Sequence, residues 1–253
     1  MELQKNCAKD RLILALDVDT LDEAKELVYE LKDYVGIFKV GLQLFTSVGP
    51  EIINLIHGEG GNIFFDGKFH DIPNTVAKAS ANLIKHNVTF FNIHIQGGSK
   101  MITTSVKLAK ETARRLELPK PTILGVTLLT SFGQRTLTEE LEIDCNIDDY
   151  VGKLAKLAKD SGLDGVVASA TDIPKIRKAC GEDFIILCPA IRPTWSVVND
   201  QIRVVTPTDA IRAGVDYMVI GRPITAAKDK ASAARLILDE IEEAIAQQKE
   251  AVK

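Results

Sequence analysis

RLILALDVDTLDEAKELVYELKDY, residues 11–34, carries the pattern that decides the fold. Leu12–Asp17 is a short and mostly apolar run, as expected of a strand buried on both faces of a parallel sheet. It gives way to a segment, Leu21 to Tyr34, in which Ala24, Leu27, Val28 and Leu31 recur at helical spacing. Thr20 followed by Glu23 fits the capping box that starts such a helix. The turn between strand and helix, DVDTLDEA, lacks the glycines of a dinucleotide fingerprint and so speaks against an open doubly wound sheet.

The same strand-then-helix unit recurs along the chain. Further strand candidates are Gly36–Val40, Asn62–Asp66, Phe90–His94, Thr122–Thr127, Gly165–Ser169, Phe184–Cys188 and Tyr217–Ile220, which makes eight units with the first. Helix starts are marked as well. Asp71-Ile-Pro73 and Thr171-Asp-Ile-Pro174 put a proline in a first turn, and Thr206-Pro207 puts one directly after a capping threonine. A last helix is expected from about Ser232 to Gln248, with Ala233, Leu236, Ile237, Glu240, Ile241 and Ala244 marking one largely apolar face. Eight units are the number that closes a (β/α)8 TIM barrel, whose functional residues stand at the C-terminal ends of the strands. No linker or low-complexity stretch interrupts them, so one barrel domain over residues 1–253 is expected.

The 253 residues carry 31 Lys and Arg against 35 Asp and Glu, a formal net charge of −4. Without a basic stripe, this is not the electrostatic footprint of a nucleic-acid binder. The longest apolar runs, such as LILAL (12–16), fall far short of a membrane span, and the N-terminus has no secretory cleavage pattern. Cys7, Cys145, Cys180 and Cys188 form no C-x-x-C pair, and His57, His70, His86 and His94 are scattered, so no metal site is expected. Incidental thiols suit a reducing cytoplasm.

Polar residues cluster at the strand ends: Asp17, Lys39, Asp66 with Lys68, His94, Thr127 with Thr130, Ser169, Arg192 and Arg222. A closed barrel would turn them towards one mouth. The densest stretch is IFFDGKFHDIPNTV, residues 63–76. Asp66 and Lys68 lie two apart, so on an extended chain both project to the same face. A rim salt bridge would explain that pair equally well, and Asp71 taken alone would serve as a helix cap. MVIGRPI, residues 218–224, places Gly221 and Arg222 just past the eighth strand, where barrels commonly hold a phosphate. Arg192 and Gln201 lie in the long segment 188–207, whose length suits a lid, while Trp195 in the same segment would anchor it. For His94, packing beneath the site is favoured over ligand contact.

DGKFHDIPNT, with ALDVD, FKVG, VTLLTS (126–131), PAIR and VIGRPIT, resembles the orotidine 5′-phosphate decarboxylase family across residues 11 to 230 or so. The Asp-x-Lys-x-x-Asp core is shared with related phosphate-sugar decarboxylases and synthases, some of which need Mg²⁺, and these are the alternative. The resemblance implies an enzyme free of cofactor and metal that converts orotidine 5′-monophosphate to UMP and CO₂, the last step of de novo pyrimidine synthesis. It also implies a homodimer with two shared sites. Lys39, Asp66, Lys68 and, from the second subunit, Asp71 would form an alternating charge array, with Lys68 protonating C6. Asp17 and Lys39 would hold ribose hydroxyls with Thr75 of the second subunit nearby, Thr130 would touch the pyrimidine, and Arg192, Gln201, Gly221 and Arg222 would bind phosphate. Two positions depart from the family pattern. Gly67 stands where a bulkier apolar residue is expected and would loosen the strand, and Ala190 replaces a glycine and would narrow the room near a ligand.

Overall fold

In the computed structural model, which describes residues 7–196 and 205–251, each apolar run named above forms a strand. These are β1 (Leu12–Ala15), β2 (Ile37–Gly41), β3 (Asn62–Phe69), β4 (Phe90–His94), β5 (Thr122–Val126), β6 (Gly165–Val167), β7 (Ile185–Cys188) and β8 (Tyr217–Ile220). A short helix α1 (Ala8–Arg11) precedes β1, and α2 (Leu21–Leu31) follows it. Helices α3 (Leu42–Val48) and α4 (Glu51–Gly58) lie between β2 and β3, and α5 (Pro73–Lys85) and α6 (Gly98–Leu116) follow β3 and β4. Then α7 (Ile147–Asp160), α8 (Ile173–Cys180) and α9 (Pro207–Ala213) follow β5, β6 and β7, and α10 (Arg222–Thr225) and α11 (Lys230–Ala251) follow β8. The strands close in the order β1 to β8, a (β/α)8 barrel. Register is parallel, with Ile13 beside Ile37, Leu14 beside Ile220, Gly41 beside Asp66 and His94 beside Val126.

By internal contacts the chain groups into two compact units: residues up to Asp66 with those from Cys188 onward, and Gly67–Leu187. In the first, Leu12, Ile13, Leu14, Phe38 and Ile220 are fully buried, and α2 and α11 add Ala24, Val28, Leu31, Ile237 and Ile241. In the second, Phe90, Phe91, Ile93 and Leu124 form the strand core, with Ile84 of α5 and Met101 and Ile102 of α6. Each such large apolar side chain contributes roughly 1.5–3 kcal/mol of burial.

Local signals mostly act as their chemistry predicts. Thr20 and Glu23 form the full capping box, with the Glu23 N–H donating to Thr20 Oγ1 at 3.2 Å and the Thr20 N–H to Glu23 Oε2 at 3.0 Å. Thr206 Oγ1 accepts from the Asp209 N–H at 3.0 Å at the start of α9. Helix α11 begins two residues before the expected Ser232, because Asp229 Oδ1 accepts the Ser232 N–H at 2.8 Å and so fixes the preceding turn. Two expectations need correction. Asp71 is not the cap of α5: Ile72 holds that position, and Asp71 Oδ1 accepts its immediate neighbour's N–H at 2.6 Å. The third strand does not stop at Asp66 but runs on through buried Gly67 and Lys68 to Phe69.

Candidate active site

The first unit gathers three of the expected residues around one ammonium. Lys39 lies inside β2, its side chain only 10% exposed, and its Nζ donates to Asp17 Oδ1 at 2.7 Å. Asp66 Oδ2 stands 3.9 Å from the same nitrogen, with that carboxylate 14% exposed. The ladder explains why these groups meet. Leu16 donates its N–H to Lys39 O at 3.1 Å, extending the β1–β2 pairing by one bond, and Asp17 follows at once. Gly41 pairs with Asp66 across β2 and β3, two residues beyond Lys39. A Cβ on Gly41 would sit 3.0 Å from Lys39 Nζ, so the bare backbone leaves the ammonium its room.

Gly221 closes on the same group from β8. A Cβ there would meet Ala15 Cβ at 3.3 Å and Asp17 Oδ2 at 3.8 Å, so this turn passes close beside the end of β1. Gly221 is the cap residue of α10, and its carbonyl accepts the N–H groups of Ile224 and Thr225 at 2.9 and 3.0 Å. Arg222, exposed, is the first residue of that short helix. Arg192 is half-buried, with its N–H donating to Val205 O at 3.1 Å. Gln201 lies outside the described residues. Tyr217, at the opposite end of β8, is pushed up to about 12 by burial and by Asp216 and Asp10, and burial lowers Arg11. In a barrel, that end serves stability.

In the second unit Lys68 is half-buried near the end of β3, with a backbone φ of +46°. The chain is not simply extended here: the left-handed backbone at Lys68 replaces the alternation that would put Asp66 and Lys68 on one face. Its N–H donates to Asn92 Oδ1 on β4 at 2.7 Å. Asp71 and Thr75 are both exposed at the start of α5, with the Thr75 N–H bonded to Ile72 O at 3.0 Å. Between them Ile72 is 67% exposed, an apolar side chain turned outward. Thr130 is exposed in the turn after β5, whereas Thr127 is buried and donates its hydroxyl to Val167 O at 3.2 Å, a structural role. His94 packs on His70, ring centroids 5.4 Å apart.

Sequence reasoning missed Asn92 and Gly41. Asn92 was visible as the one carboxamide in the apolar run FFNIH, residues 90–94.

The sequence model of the orotidine 5′-phosphate decarboxylase / HUMPS family matches residues 10–237. The orotidine 5′-phosphate decarboxylase of Moorella thermoacetica is 46% identical over 241 residues, 95% of this chain and 96% of that one. The enzyme of the same name from Syntrophomonas wolfei is 47% identical over 237 residues, covering 93% and 99%. Among solved structures, orotidine 5′-phosphate decarboxylase from Lactobacillus acidophilus superposes with a TM-score of 0.81 at 35% identity, over 91% of this chain and 98% of that one. With agreement of this extent in both sequence and fold, the chain belongs to the orotidine 5′-phosphate decarboxylase / HUMPS family.

Proposed function

We propose that the chain is a carboxy-lyase that converts orotidine 5′-monophosphate to UMP and CO₂ as the last step of pyrimidine nucleotide synthesis. The observation that carries this reading is Lys39 of β2 held between Asp17 at 2.7 Å and Asp66 at 3.9 Å, where Asp66 belongs to β3, the strand that carries Lys68 two residues later. Asp17, Lys39 and Asp66 alternate in charge across neighbouring strands, around a lysine side chain that is only 10% exposed. Heterolysis of the C6–carboxylate bond releases CO₂ and leaves the electron pair on C6, in the ring plane, where the π system cannot accept it. A cation that can also give a proton is needed there, and Lys68 supplies both. Its ammonium stabilises the carbanion and then transfers a proton to C6.

Asp66 beside the substrate carboxylate would repel it by about 4 kcal/mol at ~4 Å and an effective dielectric of ~20. Enzymes commonly lower barriers by roughly 8–23 kcal/mol, so repulsion is the minor share. The greater part comes from fixed charges that meet the carbanion as it forms. Asp17 and Lys39 take the ribose hydroxyls, Thr130 the pyrimidine, and Arg192, Gln201, Gly221 and Arg222 the phosphate. Phosphate binding contributes at a distance, by driving closure around the reacting ring.

The reading includes a homodimer in which Asp71 and Thr75 serve the site of a second copy of the chain. Their exposure on either side of outward-turned Ile72 supports this. It needs no cofactor, and it places the enzyme in the cytoplasm, in keeping with its four free thiols. Replacing Lys68 by Ala tests the chemistry. Turnover should fall below detection while UMP still binds, and ordinary turnover in that variant would exclude Lys68 as the proton donor.

A further inference from the structure

Lys68 adopts a φ of +46° inside β3. For an L-residue other than glycine, the left-handed region costs roughly 1–2 kcal/mol and persists only where the surroundings impose it. One imposing contact is the hydrogen bond from the Lys68 N–H to Asn92 Oδ1, at 2.7 Å. Asn92 is an unusual residue for its place. It is fully buried in the middle of β4, between Phe91 and Ile93, which are fully buried too. A carboxamide taken out of water into such a strand costs a few kcal/mol unless its polar atoms are bonded. Leucine would suit the core better, so what the oxygen holds is the physical reason for its presence.

Asn92 is itself rigidly placed. Its backbone lies in parallel register with Leu124 of β5, and its side chain has only two rotatable bonds. Position is therefore passed from the β4–β5 ladder to the backbone of residue 68, from which the flexible four-carbon stem of the lysine departs. A shift of about 1 Å at a reacting group can cost ~10²-fold in rate.

We propose that Asn92 is a positioning residue for proton delivery: its buried carboxamide oxygen holds the backbone of Lys68 in the left-handed conformation that aims the ammonium. The proposal rests on the decarboxylase reading for its kinetic consequence, but not for the hydrogen bond itself. Asn92→Leu keeps the side-chain volume and removes the oxygen, and Asn92→Asp keeps an acceptor at the same place.

The full-length protein is assayed with orotidine 5′-monophosphate, titrated with UMP, and labelled with ¹⁵N-lysine to follow exchange of the Lys68 amide hydrogen. In Asn92→Leu, kcat should drop by about 10²-fold with UMP affinity unchanged within about threefold, the signature of lost aim rather than lost binding. The aspartate variant should recover to within about tenfold of the parent, the worth of one hydrogen bond. The Lys68 amide should exchange slowly in the parent and in Asn92→Asp, and rapidly in Asn92→Leu. Parental kcat in the leucine variant, or equal losses in both variants, would overturn the proposal. Rapid exchange at Lys68 in the unaltered protein would overturn it even if neither variant folds. The exchange measurement needs no substrate. If the parent leaves orotidine 5′-monophosphate intact, the decarboxylase reading fails while the role of Asn92 in holding Lys68 is still decided.

Discussion

Ala190, where the resemblance leads one to expect glycine, adopts a φ of +61° just after β7. The sequence suggested crowding near a ligand as the consequence of that departure. The backbone shows a different one: a Cβ in the left-handed region is strained, and glycine there is not. Ala190→Gly should therefore raise stability by about 0.5–1 kcal/mol, the relief of strain exceeding the added freedom of the unfolded chain. A higher urea midpoint at an unchanged slope would show this, and a lower midpoint would contradict it. Side chains whose chemistry is visible in their type were the most legible from sequence. Asp17, Lys39 and Asp66 could be named because charges at strand ends are rare without a purpose, and the structure places them together. Asn92 was not legible, because a neutral amide inside an apolar strand declares its purpose only once its acceptor oxygen is seen on the Lys68 N–H.

Strand and helix limits were set by cues of unequal strength. The capping box of α2 and the Thr206 cap were readable because both partners lie within three residues of each other. The end of β3 was not, since its extension to Phe69 passes through a glycine and a left-handed lysine, residues that ordinarily argue for a break. Helix α8 offers a test at this scale. Its cap residue Asp172 makes no side-chain capping bond, and burial, followed by the nearby Asp148 carboxylate, raises the Asp172 carboxyl above its ordinary value. Lys175, which pairs with Asp148, opposes the shift. A raised folded value means that the protonated acid is favoured in the folded state. The stabilising contribution is complete below the unfolded value of about 3.9 and is lost as pH rises through the folded one. Asp172→Asn should thus gain about 0.5 kcal/mol at pH 7, a modest figure because solvent screens a partly exposed group. The gain should vanish near pH 3. Denaturant melts at both values check it, and a gain that is independent of pH would assign the effect to packing.

At the scale of the whole molecule, eight strand-helix units were countable from periodicity alone, and the strands close in sequence order as that count requires. The net charge of −4 was less informative. It ranks the chain as slightly acidic although the proposed substrate is an anion, because the cations that would meet it, Lys39, Lys68, Arg192 and Arg222, are set by position and not by number. A dimer is expected only through the resemblance, since no periodicity announces which exposed turn would meet a second copy. If Asp71 serves the partner's site, mixing inactive Lys68→Ala and Asp71→Ala proteins and allowing exchange should restore about a quarter of the sites, because half the dimers are mixed and each holds one intact site. No recovery after demonstrated exchange would confine Asp71 to its own subunit. The most direct measurement for the function is the ultraviolet absorbance of orotidine 5′-monophosphate incubated with the purified protein and EDTA. The absorbance should fall while UMP and CO₂ form in equal amounts, at a rate the chelator leaves unchanged; an absorbance that stays constant, or falls only when Mg²⁺ is supplied, would contradict a metal-independent orotidine 5′-monophosphate decarboxylase.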